Sequence, residues 1–400
     1  MSRNGSGVYS LPGTYLAVSG ETIEAQQHND PLEDLRSDAN AARPIVAGGT
    51  GSTTAADALV ALGAASTDDL TAWVGPFVSM INGTLAESHS GNAATFALKT
   101  AAGTDPTTSD AVTIIFRDAT SSSGLFVSRK ITSALSVTVS SGATLNFSDA
   151  TPGRVWIVAF DDAGTVRLGV INCYAPGGFV PYPLRSKAIA SSTAMSSSAD
   201  STWTFYTGTA VTTVAYTVLG YAGYESGLTT AGTWDASPTE MALFGAGSRL
   251  PGDVIQPSVS VSGASSTGTT TLPFDDTIPQ KTEGNQYLST SITPTSKINV
   301  IEIGWQAQLA NSATGVMTSA LIVAGATDAV SAIATGYRTG GDPVVHTGRY
   351  RQQAGSTSSI TVAVRAGLNN AGTTTLNGTA GARELGSVSD SYIAVKEIMV

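Results

Sequence analysis

From about residue 76 to the last residue, apolar and polar positions alternate with a period of two, the spacing of strands that bury one face. The pattern is clearest near the C-terminus. Ile301, Ile303, Trp305, Ala307 and Leu309 fall on one strand face, and Ile360, Val362 and Val364 repeat the alternation. Further strands are predicted over 286–292, 317–323, 329–337 and 344–351, with 392–400 closing the chain. Gly, Pro and Asn turns separate them, giving about eight short strands, the count of a jelly roll.

The middle of the chain is also strand-like. Val112–Phe116 and Ala134–Val139 are apolar runs, and Arg154–Phe160 meets Val166–Cys173 across Asp161-Asp162-Ala163-Gly164. Those four residues predict a hairpin turn, with Gly164 free to take positive φ. Pro176, Pro181 and Pro183 predict a linker, because proline is excluded from central strands. A second β block follows, with Trp203, Phe205, Val211, Val214, Tyr216 and Val218 alternating with Thr and Ala. Gly220, Gly223, Gly227 and Gly232 then predict a break into a long aromatic-bearing loop. Pro251-Gly252 reads as a turn, 254–261 as a strand and 262–268 as a Ser/Gly/Thr-rich hinge.

The first segment has a different pattern. Asp30 reads as an N-cap with Pro31 at the first helical position, and Asp30, Glu33 and Asp34 place negative charge at the positive end of the helix dipole. Leu32 and Leu35 make a narrow apolar stripe. Gly48-Gly49-Thr50-Gly51 breaks the chain before a second short helix over 55–62. Neither helix buries much surface alone, so both need a docking surface. The expected organisation is an attachment segment over 1–64, a linker over 65–75, a β-sandwich over 76–184, a second β domain over 185–262 and a jelly roll over 263–400.

Composition narrows the function classes. Charged residues are 12% of the chain, about half the usual share, while apolar residues are 42%. Net charge is −10 and there is no Lys/Arg run, which argues against nucleic-acid binding. An acidic particle is repelled by anionic surfaces, with salt screening beyond about 8–10 Å, so binding to a cell envelope is expected through short-range stacking and hydrogen bonds. The single cysteine, Cys173, rules out an intrachain disulfide and reads as a small buried hydrophobe. The N-terminus shows no signal-peptide pattern, and no stretch is long and apolar enough to span a bilayer as a helix.

Candidate chemistry is sparse. Asp68-Asp69, Asp161-Asp162 and Asp275-Asp276 are sequence neighbours, and neighbouring strand residues point to opposite faces, so no pair can flank a glycosidic bond by itself. They read as solvated or turn residues, Asp275-Asp276 as turn support. His28, His89 and His346 share no metal spacing. No Gly-x-Ser-x-Gly elbow lies between a strand and a helix. Gly48-Gly49-Thr50-Gly51 lacks the following Lys of a phosphate loop. No catalytic, cofactor or metal site is therefore expected, and no cofactor. Tyr221, Tyr224 and Trp234 sit among glycines, where exposure would let the rings stack on sugars; packing at a subunit interface is the favoured explanation. Arg338, His346, Arg349, Tyr350 and Arg351 form the densest polar-aromatic group and are a second candidate receptor site.

Two stretches resemble a known family. Val8–Pro12, Gln26–Leu35 and Gly48–Gly51 resemble the N-terminal attachment segment of tailed-phage tail-fibre proteins. Thr269–Gln280, with the strands after it, resembles the C-terminal jelly-roll domain of such virion appendages. The resemblance implies a mainly β homotrimer of several β-sandwich or jelly-roll-like domains behind a short helical attachment segment. It also implies docking on a phage tail, adaptor, portal or capsid protein through Tyr9, Leu11, His28, Asn29, Asp30, Pro31, Leu32 and Leu35. The C-terminal β domains would meet a host surface glycan or protein, without membrane insertion or catalysis, on a virion assembled in the bacterial cytoplasm. Three alternatives stay open: a head fibre or capsid decoration protein, a polysaccharide depolymerase tailspike, although no solenoid repeat is visible, and a purely structural tail or baseplate component.

Overall fold

The computed structural model describes residues 79–118, 125–174, 182–184, 189–245, 247–337 and 341–400, with isolated positions between 19 and 58. The chain divides into two units, Met1–Pro76 and Phe77–Val400. In the first, Asn29, Asp30, Leu32, Glu33 and residues 35–37 are helical, as is Ala58. Asp30 is thus inside the helical stretch and not its N-cap. The first unit's other expected features, and Asp68-Asp69, lie outside the described residues.

The second unit is mainly β. Its first strands are β1 (Gly83–Ser90), β2 (Ala93–Thr100), β3 (Val112–Arg117), β4 (Phe126–Ile131), β5 (Leu135–Val139), β6 (Gly153–Asp162), β7 (Thr165–Ile171), β8 (Val214–Tyr224) and β9 (Glu240–Leu243). β1, β2 and β5 form one sheet, while β3 pairs with β4 and with the short strand Met80–Ile81. A larger sheet runs β7–β6–β8–β9, extended by short strands. β6 explains why this sheet reads as a continuous apolar run. Val155, Ile157 and Ala159 enter one core with Phe96, Ile114 and Leu168. Trp156, Val158 and Phe160 enter a second core with Phe205, Tyr216 and Cys173. A strand buried on both faces has no polar face to show. The β6–β7 hairpin closes through Ala163 (φ 49) and Gly164 (φ 96), a two-residue turn of the twist-matched type.

Two expectations fail here. Gly220 and Gly223 lie inside β8 and do not end it. The register shifts between Val218 and Gly220, a β-bulge, and a Cβ on Gly220 would sit 2.2 Å from the main-chain oxygen of Ala242. Glycine is there because β9 approaches too closely for a side chain. The chain leaves the strand only after Tyr224, and the turns at Gly227 (φ 70) and Gly232 (φ 83) then match expectation. The boundary expected at 184/185 does not separate sheets either, because β8 pairs with β6 along residues 153–160.

Eight longer strands follow, with short ones between them: β10 (Val254–Ser262), β11 (Asn285–Ile292), β12 (Val300–Asn311), β13 (Gly315–Val323), β14 (Ser331–Tyr337), β15 (Val344–Gln353), β16 (Ile360–Leu368) and β17 (Ser391–Ile398). One sheet takes the first, eighth, third and sixth of these; the other takes the second, seventh, fourth and fifth. That is jelly-roll order, antiparallel throughout. Leu288, Ile303, Trp305, Met317, Val364 and Ile393 pack between the sheets. The jelly roll begins at β10, before the expected start at 263, because β10 pairs with β17 over its whole length. Part of the expected hinge, Ser266–Gly268, is itself a strand paired with Thr374–Leu376. Thr269–Gln280 lies in the β10–β11 connection with Leu272 buried. There Asp275 accepts the Thr277 N–H at 2.9 Å, the turn support expected of it.

Polar contacts tie the jelly roll to the preceding block. Buried Arg154 of β6 donates to the main-chain oxygen of Val400 at 2.6 Å and to Asn299 Oδ1 at 3.2 Å. Its guanidinium lies over the Tyr221 ring, 4.5 Å from the centroid. Asn299 donates in turn to Glu397 at 2.7 Å, and Glu397 also accepts from Gln256 and Thr295.

Candidate functional site on the outer face of the jelly roll

β12 is the central strand of the first jelly-roll sheet, and its alternation sets up the site. Its odd residues from Ile301 to Leu309 enter the core, so Glu302, Gly304 and Gln306 face outward. Cross-strand partners share a face. Lys396 of β17 and Arg351 of β15 therefore flank Glu302, Ala394 and Arg349 flank Gly304, and Tyr392 and Thr347 flank Gln306. The result is a charged row, a middle row in which Ala394 and Gly304 are small and Arg349 is not, and a row of polar and aromatic residues on three adjacent strands.

The charged row is cationic on balance. Arg349 and Arg351 both donate to Oε2 of Glu302. The Arg349 side chain is 63% exposed, while that of Glu302 is 13% exposed. Burial works to raise the Glu302 pKa, but the two arginines outweigh it and hold the carboxyl below its usual range. Two arginines thus pair with one carboxylate, and Lys396 is its register neighbour on β17, in a chain of net charge −10. In the middle row, a Cβ added to Gly304 would meet no atom within 4 Å, so the space above it is open. At the sheet edge, β10 turns its serines inward, with Ser258 Oγ 2.8 Å from Thr290 Oγ1, and leaves Val259 and Val261 57% and 58% exposed.

The structure splits the polar-aromatic group expected on this strand. Arg349 and Arg351 lie on the outer face. His346 and Tyr350, offset by odd numbers of residues, point the other way. His346 is buried with Nδ1 2.9 Å from Ser319 Oγ, and burial pulls its pKa down. Tyr350 packs against the core. Arg338 lies outside the described residues. Glu302, Lys396, Gly304 and Tyr392 were not anticipated; strand register, not sequence proximity, brings them in.

The other candidate site is not the exposed platform that sugar stacking needs. Trp234 is fully buried, with its indole N–H donating to the Ala143 oxygen at 2.7 Å. Tyr224 is buried edge-on against Trp234 and Phe147. Tyr221 is partly buried under Arg154, donates to Glu240 at 3.0 Å, and has its pKa pushed up to about 12, chiefly by burial. These rings consolidate cores, which removes Tyr224 and Trp234 as sugar-stacking platforms. Of the expected docking residues, Asn29, Asp30, Leu32 and Leu35 are helical, with both leucines exposed. Tyr9, Leu11, His28 and Pro31 lie outside the described residues.

The other acidic pairs have partners that explain them. Asp161 pairs with Arg129 at 2.8 Å and accepts the Gly164 N–H, while Asp162 pairs with Arg167 at 2.6 Å. Among the described residues, no group of His, Cys, Asp and Glu is arranged to hold a metal ion. No helix among them is long and apolar enough to cross a membrane.

No family model matches the chain, and no curated protein matches it. Among solved structures, the chain is similar to that of the infectious bursal disease virus Gx strain, at 14% identity over 81% of this chain and 78% of that one, with a TM-score of 0.22. The VP2 subviral particle of infectious bursal disease virus matches at 12% identity over 81% and 79%, with a TM-score of 0.21. An exo-β-1,3-galactanase from Phanerochaete chrysosporium matches at 9% identity over 80% and 57%, with a TM-score of 0.16. Superpositions this loose carry no argument about function.

Proposed function

We propose that this chain is a structural protein of a phage virion, a homotrimeric tail fibre or receptor-binding protein. Its N-terminal segment docks on the particle and its C-terminal jelly roll meets the host surface. One observation carries the reading: Thr269–Gln280, the stretch that resembles the appendage jelly roll, lies within a chain segment folded in jelly-roll order. Exposed apolar side chains support the trimer, among them Leu385 at 72% and Val388 at 85%, because a second copy can cover them.

Three measurements test the reading. Recombinant protein should block adsorption of particles to host cells. Light scattering should give a mass near three times 40.5 kDa; a single-chain mass refutes the trimer. Deleting residues 1–64 should abolish incorporation into particles and leave the trimer intact. Location on the virion separates a tail fibre from a capsid decoration. A label for electron microscopy belongs between Thr357 and Ser358, in an exposed loop, and not at Val400, which is buried. No reaction is proposed. New reducing ends after incubation with host polysaccharide would replace this reading with the depolymerase one.

A further inference from the structure

We infer that the trough over Gly304, on the outer face of the jelly roll, binds an acidic saccharide unit, a pyranose ring carrying a carboxylate. The inference rests on the reading that the jelly roll contacts a host surface. Three features converge. First, Arg349 and Arg351 pair with Glu302 and Lys396 is its neighbour on β17, so these four side chains carry more positive than negative charge on an otherwise acidic chain. A guanidinium fork matches a carboxylate in bidentate geometry, and Arg349 is exposed enough to offer one. Second, Gly304 and Ala394 make a low floor with Arg349 at one end of their row and Val259 at the other, and a Cβ on Gly304 would meet no atom within 4 Å. The C–H face of a sugar ring fits such a floor. Third, Gln306 and Tyr392 border the trough with an amide and a hydroxyl, the groups that sort sugar hydroxyls.

Other occupants fit less well. A polyphosphate backbone wants a longer basic track than three cations. A second copy of this same face would bring like charges together. Because the whole chain is acidic, attraction acts only within the screening distance of about 8–10 Å, and binding should weaken as salt rises.

The test titrates the full chain by calorimetry with polygalacturonate and a polymer of sialic acid, each beside its carboxyl-reduced form. Binding to at least one acidic polymer and not to its reduced form is expected. Arg349→Ala should weaken it by about tenfold or more, the loss of one charge-assisted hydrogen-bonded pair. Gly304→Val should do the same by filling the trough, with unchanged melting temperature, since its added atoms point into open space. Glu302→Gln should tighten binding, because it removes the competing carboxylate; a merely structural ion pair would not do that. No binding to either acidic polymer, equal binding to the reduced forms, or unchanged affinity in both Arg349→Ala and Gly304→Val overturns the proposal. So does a change of oligomeric mass in Gly304→Val, which would make this face a subunit contact. Adsorption assays keep the two readings apart. If the wild-type protein and both variants block adsorption equally, the site is wrong and the receptor reading survives. If the wild-type protein blocks nothing, the receptor reading fails whatever the titrations show.

Discussion

Arg154 carries a full charge at 2% exposure, and its partners decide whether that is tolerable. The main-chain oxygen of Val400, Asn299 and the Tyr221 ring surround it, and Asn299 passes the interaction on to buried Glu397. Arg154→Met removes the donor and leaves those acceptors buried without it. The expected loss is about 3 kcal/mol or more, read from denaturant unfolding. Glu397 adds a pH dependence. Burial favours its neutral form, but donors from Asn299, Gln256 and Thr295 outweigh burial and lower its pKa. A lowered carboxyl pKa stabilises the fold above the unfolded value of about 4.3, and that stability is lost as pH falls through the folded value. His346 has the same sign in a higher window. Its pKa is lowered by burial, so stability should already fall as pH drops below about 6.5, where the unfolded chain takes up the proton first. In His346→Gln the decline between pH 7 and 5 should flatten, while the steeper acid loss remains; an unchanged profile would show that another group titrates there.

At the scale of elements, the glycines separate strands that are read correctly from strands that are not. A Cβ on Gly348 of β15 would lie 2.0 Å from the Trp305 ring, whereas one on Gly304 would meet open space. Gly348→Ala should therefore cost about 1–3 kcal/mol by overpacking. Gly304→Ala should stay within about 0.5 kcal/mol of wild type, as surface changes do. Thermal melts of the two variants check the contrast. The jelly-roll strands were legible because Ile301 to Leu309 and Ile360 to Val364 alternate strictly, and period two leaves little choice. β8 was not legible past Val218. Gly220 looks like a breaker until Ala242, 22 residues later, is placed beside it. Trp234 failed for a related reason: a ring among glycines looks exposed, and its indole partner, the Ala143 oxygen, is 91 residues away. Half of the candidate site was readable in the same sense. Arg349 and Arg351 stood out as cations, but Glu302 lies 47 and 49 residues before them and reaches them only through strand register.

For the second unit as a whole, the expected separate β domains give way to blocks sharing sheets and polar groups. β6 and β8 span the boundary drawn between the first two, and the last residues of the jelly roll return to the first block. Met399 enters the core of Trp156 and Phe205, Gln353 donates to the Pro152 oxygen at 2.8 Å, and Glu225 accepts the Lys297 N–H at 2.8 Å. A long chain of β modules often unfolds in steps, one per domain. Here the jelly roll cannot open at β17 without stripping Arg154 and Trp156 of the Val400 oxygen they share. The first block cannot open at β6 without doing the same. Calorimetry of a 77–400 fragment should then show one main transition. Arg154→Met should lower its midpoint and begin to split it, because that change weakens the coupling more than either block. Two well-separated transitions in the unmodified fragment would show instead that the junction is too weak to couple them. The test reads cooperativity alone, so it holds whatever the outer face of the jelly roll binds.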